Sequence, residues 1–111
     1  MADTNNTYTE EQRALLLRTM KKDLELITDY FDSSALEEKN QQLFMYIDLA
    51  VTFIVREGSQ LDLDDYSDIQ LVSMYAAWLY ERRKDNTAKM PYWLRYNLNN
   101  KLFSQKMRSE S

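Results

Sequence analysis

Ile69-Gln70-Leu71-Val72-Ser73-Met74-Tyr75-Ala76-Ala77-Trp78-Leu79-Tyr80-Glu81-Arg82-Arg83 is the stretch on which the fold turns. Ile69, Val72, Ala76 and Leu79 recur at three- and four-residue steps, so they share one face of a helix. Leu71, Met74, Tyr75 and Trp78 cover most of the remaining surface. A helix that is apolar nearly all round must be covered on several sides. The stretch therefore predicts the central helix of a bundle, with Trp78 in its core. Ser67 and Gln70 make an S-x-x-Q capping box, which sets the start near Asp65 or Ser67. Arg82, Arg83 and Lys84 close the helix where its dipole favours cations.

Three further helices are read on either side. Thr9 and Gln12 form a T-x-x-Q box ahead of a helix over residues 10–26, whose stripe is Leu16, Met20, Leu24 and Ile27. Lys21 and Lys22 interrupt that stripe, so a break is expected near Asp23. Residues 28–33 connect to a second helix, opened by the box Ser34–Glu37 and running to Arg56. Its stripe is Leu43, Ile47, Ala50, Val51 and Ile54. Gly58 stands where a C-terminal cap calls for a left-handed residue. An acidic loop fills 59–65. Pro91 suits the first turn of a fourth helix, because its missing amide hydrogen has no partner there anyway. Leu94, Leu98 and Leu102 form a narrow stripe along that helix. The expected organisation is an N-terminal extension over 1–8, one all-helical domain over 9–104, and a flexible basic tail over 105–111.

Composition supports this outline and excludes much else. The chain has 111 residues with one glycine and one proline, too few for the many turns of an all-β fold. It has no cysteine, hence no disulfide framework and no thiolate metal site, which fits an intracellular protein. Residues 1–9 are polar, so no signal peptide is expected, and the apolar window at 43–55 is too short to span a bilayer. No histidine is present, which removes imidazole acid–base chemistry and imidazole metal ligands. No nucleophile–base pair stands out, so no enzymatic role and no cofactor are expected.

Two charge features invite functional readings. Asp62, Asp64, Asp65 and Asp68 offer closely spaced oxygens, but they lack the glycine and distant glutamate of a helix–loop–helix calcium site. Acidic capping of a helix N-terminus is the simpler account. The net charge of −4 also divides unevenly. Residues 1–80 carry 15 acids and 6 bases, a net of −9; residues 81–111 carry 3 acids and 8 bases, a net of +5. Opposite charge on two parts of one chain suits self-assembly. In the basic part, Arg82, Arg83, Lys84, Lys89, Arg95, Lys101, Lys106 and Arg108 alternate with Tyr92, Trp93, Tyr96 and Phe103, a mixture that also fits a small nucleic-acid-binding regulator using this C-terminal region. Eight tyrosines and two tryptophans exceed the needs of a small core, and such side chains suit protein interfaces.

The order of these features resembles the head–tail connector family of tailed bacteriophages and prophages, also called head-completion or adaptor proteins. The residues that carry the resemblance are Leu15-Leu16-Leu17-Arg18-Thr19-Met20-Lys21-Lys22, the helix end Arg56-Glu57-Gly58, the stretch Leu71 to Arg83, and above all LYERR (residues 79–83) followed by MPYWLRYNLNNKLFSQK (residues 90–106). The similarity covers roughly residues 11–106. The polar N-terminal extension and the acidic loop at 59–65 have no counterpart in the shared pattern. The resemblance implies a helical bundle that self-associates into a ring, commonly twelve-fold, beneath the portal protein. Such a ring lengthens the DNA channel without gripping DNA specifically and offers a docking surface to a tail or stopper protein. It implies residence in the virion, and no catalytic residues, metal or cofactor. Partner contacts carry over onto Trp93, Arg95, Tyr96, Asn99, Lys101 and Phe103, and in the tail onto Lys106 and Arg108.

Overall fold

The computed structural model describes residues 8–85 and 87–110, with side chains through Met107. Four helices follow one another: α1 (Glu10–Leu24), α2 (Ser33–Arg56), α3 (Tyr66–Arg82) and α4 (Tyr92–Glu110). No strand occurs among the described residues, so the fold is an all-α bundle.

α3 is its centre. Ten of its residues are buried, including Ile69, Leu71, Val72, Tyr75, Ala76, Leu79 and Tyr80. They meet Leu16 and Met20 of α1, Leu43, Ile47, Ala50 and Ile54 of α2, and Leu94 and Leu98 of α4 in one cluster. Side-chain contacts fix the directions. Tyr8 donates to Asp48 and Arg13 lies over the Phe44 ring, so α2 runs back along α1. Gln12 donates to Asp64 just before α3, so α3 again follows the direction of α1. Lys101 of α4 meets Asp68 in the first turn of α3, which makes α4 antiparallel to α3.

Trp78 departs from expectation. It is half-buried, stacked under Arg82 at 5.1 Å and edge-on to Tyr75 at 5.9 Å. It packs on the core instead of sitting within it, so its truncation should cost less than that of a fully enclosed tryptophan.

The helix ends repay inspection. The box predicted at Thr9 and Gln12 forms, with both reciprocal hydrogen bonds present. α1 stops at Leu24 because Glu25 adopts a left-handed conformation, φ 54°, from which its amide and that of Leu26 return to the carbonyls of Lys22 and Lys21. α2 starts earlier than its Ser34–Glu37 signal. Asp32 is the cap, accepting from the Ala35 amide at 2.8 Å, because a carboxylate at this position meets both the open amide and the helix dipole. The Ser67–Gln70 box gives way likewise to Asp65, which accepts from the amide and the hydroxyl of Ser67. Those two bonds hold the Asp65 carboxyl below the usual carboxylate range.

Gly58 follows α2 with φ 103°, as the sequence anticipates. A Cβ there would sit 3.5 Å from Leu102, an ordinary contact, so its conformation matters more than its size. Gly58→Ala is expected to lower stability by about 1–2 kcal/mol, the cost of forcing an L-residue to positive φ. Urea unfolding of the two proteins measures this difference.

Both proposed termini change. Tyr8 is half-buried against the core and bonded to Asp48, so it belongs to the folded domain; the rest of the expected extension, residues 1–7, lies outside the described residues. α4 does not give way to a tail at Ser104 or at residue 105 but continues to Glu110. Gln105, Lys106, Met107 and Arg108 are good helix formers, and no glycine or proline intervenes. Ser111 lies outside the described residues.

Candidate functional site

α4 is a helix with two different faces, and its outer one is the candidate site. The carbonyl of Pro91 accepts from the Arg95 amide at 3.1 Å, so proline caps the helix and presets its direction. Inward, α4 offers only a single row of leucines: Leu94 and Leu98 are buried, and Leu102 is half-buried beside Gly58.

Three polar ties fasten that row. Lys101 Nζ lies 2.8 Å from Asp68 Oδ1, with 15% and 8% of the two side chains exposed, so this pair is shielded from water. The other oxygen of Asp68 accepts from the Asp62 amide at 2.8 Å. Arg95 forks onto both oxygens of Glu57 at 2.9 and 3.0 Å. Hydrogen bonding to that carboxylate raises the Arg95 pKa above its ordinary value. Gln105 and Gln60 exchange two hydrogen bonds, side chain to backbone, at 3.0 and 2.6 Å.

Outward, α4 presents apolar surface to water. Tyr92, Tyr96, Phe103 and Met107 are each more than half exposed, Tyr92 to 80%. At 100° per residue they fall within about 60° of arc, nearly opposite the leucine row. The rings of Tyr92 and Tyr96 stack at 6.0 Å. Asn99 and Asn100 widen the same face, and none of these six side chains is charged; beyond its edge Trp93, Asn97 and Ser104 turn toward α3, Trp93 in a groove with Trp78 and Pro91 and the other two beside Asp68 and Met74. A charge-free, aromatic-rich helix face in a chain with 29% charged residues has the make-up of an interface core.

The residues carried over by resemblance thus divide. Tyr96, Asn99 and Phe103 lie on the outer face, Lys106 is exposed at its edge, and Trp93 stands half-exposed in a groove with Asp23, Trp78 and Pro91 on the side toward α3. Arg95 and Lys101 point the other way and bind α4 to its own bundle. The Arg108 side chain lies outside the described residues. Tyr92 and Met107 belong to the face but were not among the expected partner residues. Met107 is found only by continuing the helical register past Ser104, where it stands four residues after Phe103 and eleven after Tyr96.

The other charged features resolve into structural contacts. In the acidic loop, Asp62 accepts from the Asp64 amide, Asp64 from Gln12, Asp65 from Ser67, and Asp68 from Lys101 and Asp62. These carboxylates cap and clamp, and no group of acidic residues among the described ones is placed to hold a metal ion. At the end of α3, Arg83 stacks on Tyr80 at 3.7 Å, and Lys39 donates to the Tyr80 hydroxyl at 2.8 Å. Among the described residues no helix is long and apolar enough to cross a membrane. Comparison with protein-family models, curated proteins and solved structures finds no match for this chain, so the outer face of α4 stands as a candidate site on its own residues alone.

Proposed function

We propose that this chain is a structural head–tail connector, a non-enzymatic adaptor that joins a phage portal protein to a tail or stopper component. The observation that carries the reading is the outer face of α4: uncharged, rich in aromatic rings (Tyr92, Tyr96, Phe103), and presented to solvent on a helix already anchored by its other side. Such a surface is unfavourable in water and gains by being covered. It coincides with the segment, residues 90–106, in which the resemblance to connectors is most specific. In this reading the bundle is a rigid mount, α4 is the docking element, and copies assemble into a ring through which DNA passes without specific contact. The net negative charge of the chain favours that last property, since it repels phosphates.

The nucleic-acid-binding alternative has less support. Arg95 and Lys101 are neutralised within the chain, and Arg83 is stacked on its own Tyr80, which leaves a thinner basic surface than the sequence suggests. A gel-shift titration against salt separates the readings, because phosphate binding would weaken steeply with ionic strength.

Mixing the protein with a purified portal and imaging the product by electron microscopy tests the connector directly. The wild-type chain should add a ring of density to the portal, and the double variant Tyr96→Glu/Phe103→Glu should not, while its thermal melt stays unchanged because both rings are exposed. Failure of the wild-type chain to join any portal at high concentration would refute the connector reading.

A further inference from the structure

The outer face of α4 has a symmetry of spacing that a one-sided docking surface does not require. Its large residues stand at Tyr92, Tyr96, Phe103 and Met107, with Asn99 and Asn100 between them. The positions mirror one another about the midpoint of Asn99 and Asn100: Tyr92 with Met107, Tyr96 with Phe103, Asn99 with Asn100. A second copy of this helix laid antiparallel would therefore place Tyr92 against Met107 of the second copy and Tyr96 against Phe103 of the second copy. The two asparagine pairs would meet at the dyad, where amide side chains can donate and accept in both directions. A two-fold contact of this kind uses one patch twice and must be self-complementary.

Charge points the same way. An acidic or basic partner would find nothing to pair with on a face that carries no charge. A copy of the same face meets no like-charge repulsion. In an antiparallel pair like edges lie together, so Lys106 of the second copy stands on the same edge as Arg95, two residues or about 3 Å from being level with it. The Glu57 carboxylate, already paired with Arg95, offsets the charge of that cation at the edge.

We infer that the free protein pairs with a second copy of itself through α4, antiparallel and two-fold. The pair covers the aromatic face until a partner displaces it. The inference goes beyond the connector reading and does not depend on it, since it needs only this chain. The contact is one helix wide and about 22 Å long, from fifteen steps of 1.5 Å rise between Tyr92 and Met107. That puts it at the small end of specific interfaces, so association should be weak, with a Kd on the order of tens of micromolar.

The chain has no cysteine, so single introduced thiols report the geometry without background. Tyr96→Cys and Phe103→Cys should each keep the wild-type melt. Mixed in equal amounts and oxidised gently, they should give disulfides joining Cys at 96 to Cys at 103, in excess of either same-site product by about fivefold, because only facing pairs approach within bonding distance. Ala14→Cys, on the exposed side of α1, serves as the control and should remain uncross-linked. In parallel, sedimentation velocity of the wild-type chain should show a concentration-dependent dimer that Tyr96→Glu weakens at least about tenfold, by burying a charge opposite an aromatic ring. Predominance of same-site disulfides would overturn the antiparallel arrangement. A strictly monomeric wild-type chain at about 1 mM would overturn the pairing itself, well above the affinity expected of a small interface.

Discussion

Lys101→Met is expected to lower the stability of the bundle by about 3 kcal/mol, because it strands a shielded carboxylate. Asp68 keeps only the Asp62 amide as a partner when the ammonium is gone, in a site where 8% of its side chain reaches water. Methionine retains the aliphatic stem that covers α3, so the loss reports the charge and not the packing. For a domain of this size the shift in Tm should be about 10 °C or more. Asp68→Asn in the Lys101→Met background removes the uncompensated charge while leaving an oxygen for the Asp62 amide, and most of the loss should return. Thermal melts of the two single variants and the double variant form a cycle that measures the coupling. A Lys101→Met melt within about 2 °C of wild type would mean that the pair is solvated and contributes as little as an ordinary surface ion pair.

This pair also marks what could and could not be read from the chain. The central helix was legible because Ile69, Val72, Ala76 and Leu79 record burial directly in their spacing. Thr9–Gln12 and Gly58 were legible because capping is a local matter, decided within a few residues. Read from the sequence, α2 starts too late, at Ser34, because the S-x-x-E pattern there looks complete while Asp32, an equally competent cap, carries no such pattern. Lys101 reads as one more cation in a basic segment; its partner stands 33 positions earlier, and nothing local to either residue announces the contact. Arg95 and Glu57 are separated by 38 positions and are opaque for the same reason. The extension of α4 past Ser104 was hidden because its last residues favour helix by propensity but show no apolar periodicity in the sequence. The full length of the outer face was hidden with it.

Leu98→Ala carries the other large effect, and it separates holding α4 in place from using it. Leu98 is 2% exposed and lies between Leu94 and Leu102 in the leucine row that joins α4 to the core. Its truncation should cost about 3 kcal/mol, from lost burial together with the cavity left behind. The loss should not be uniform. α1, α2 and α3 share a core in which Leu16, Leu43, Ile47, Ile54 and Val72 are fully enclosed. α4 depends on one row and three polar ties, so its local opening energy should fall most. Hydrogen exchange should show amides of α4 losing protection first, ahead of those in α3, with circular dichroism at low temperature still near wild type. Assembly and self-pairing should weaken in step with that loss, although the outer face is chemically intact, because a helix that detaches cannot present its tyrosines in register. Tyr96→Glu should do the reverse, leaving exchange in α4 unchanged while abolishing contact. Uniform loss of protection across all four helices in Leu98→Ala would show that α4 unfolds only with the whole bundle, and that its mount is part of the core and not an attachment to it.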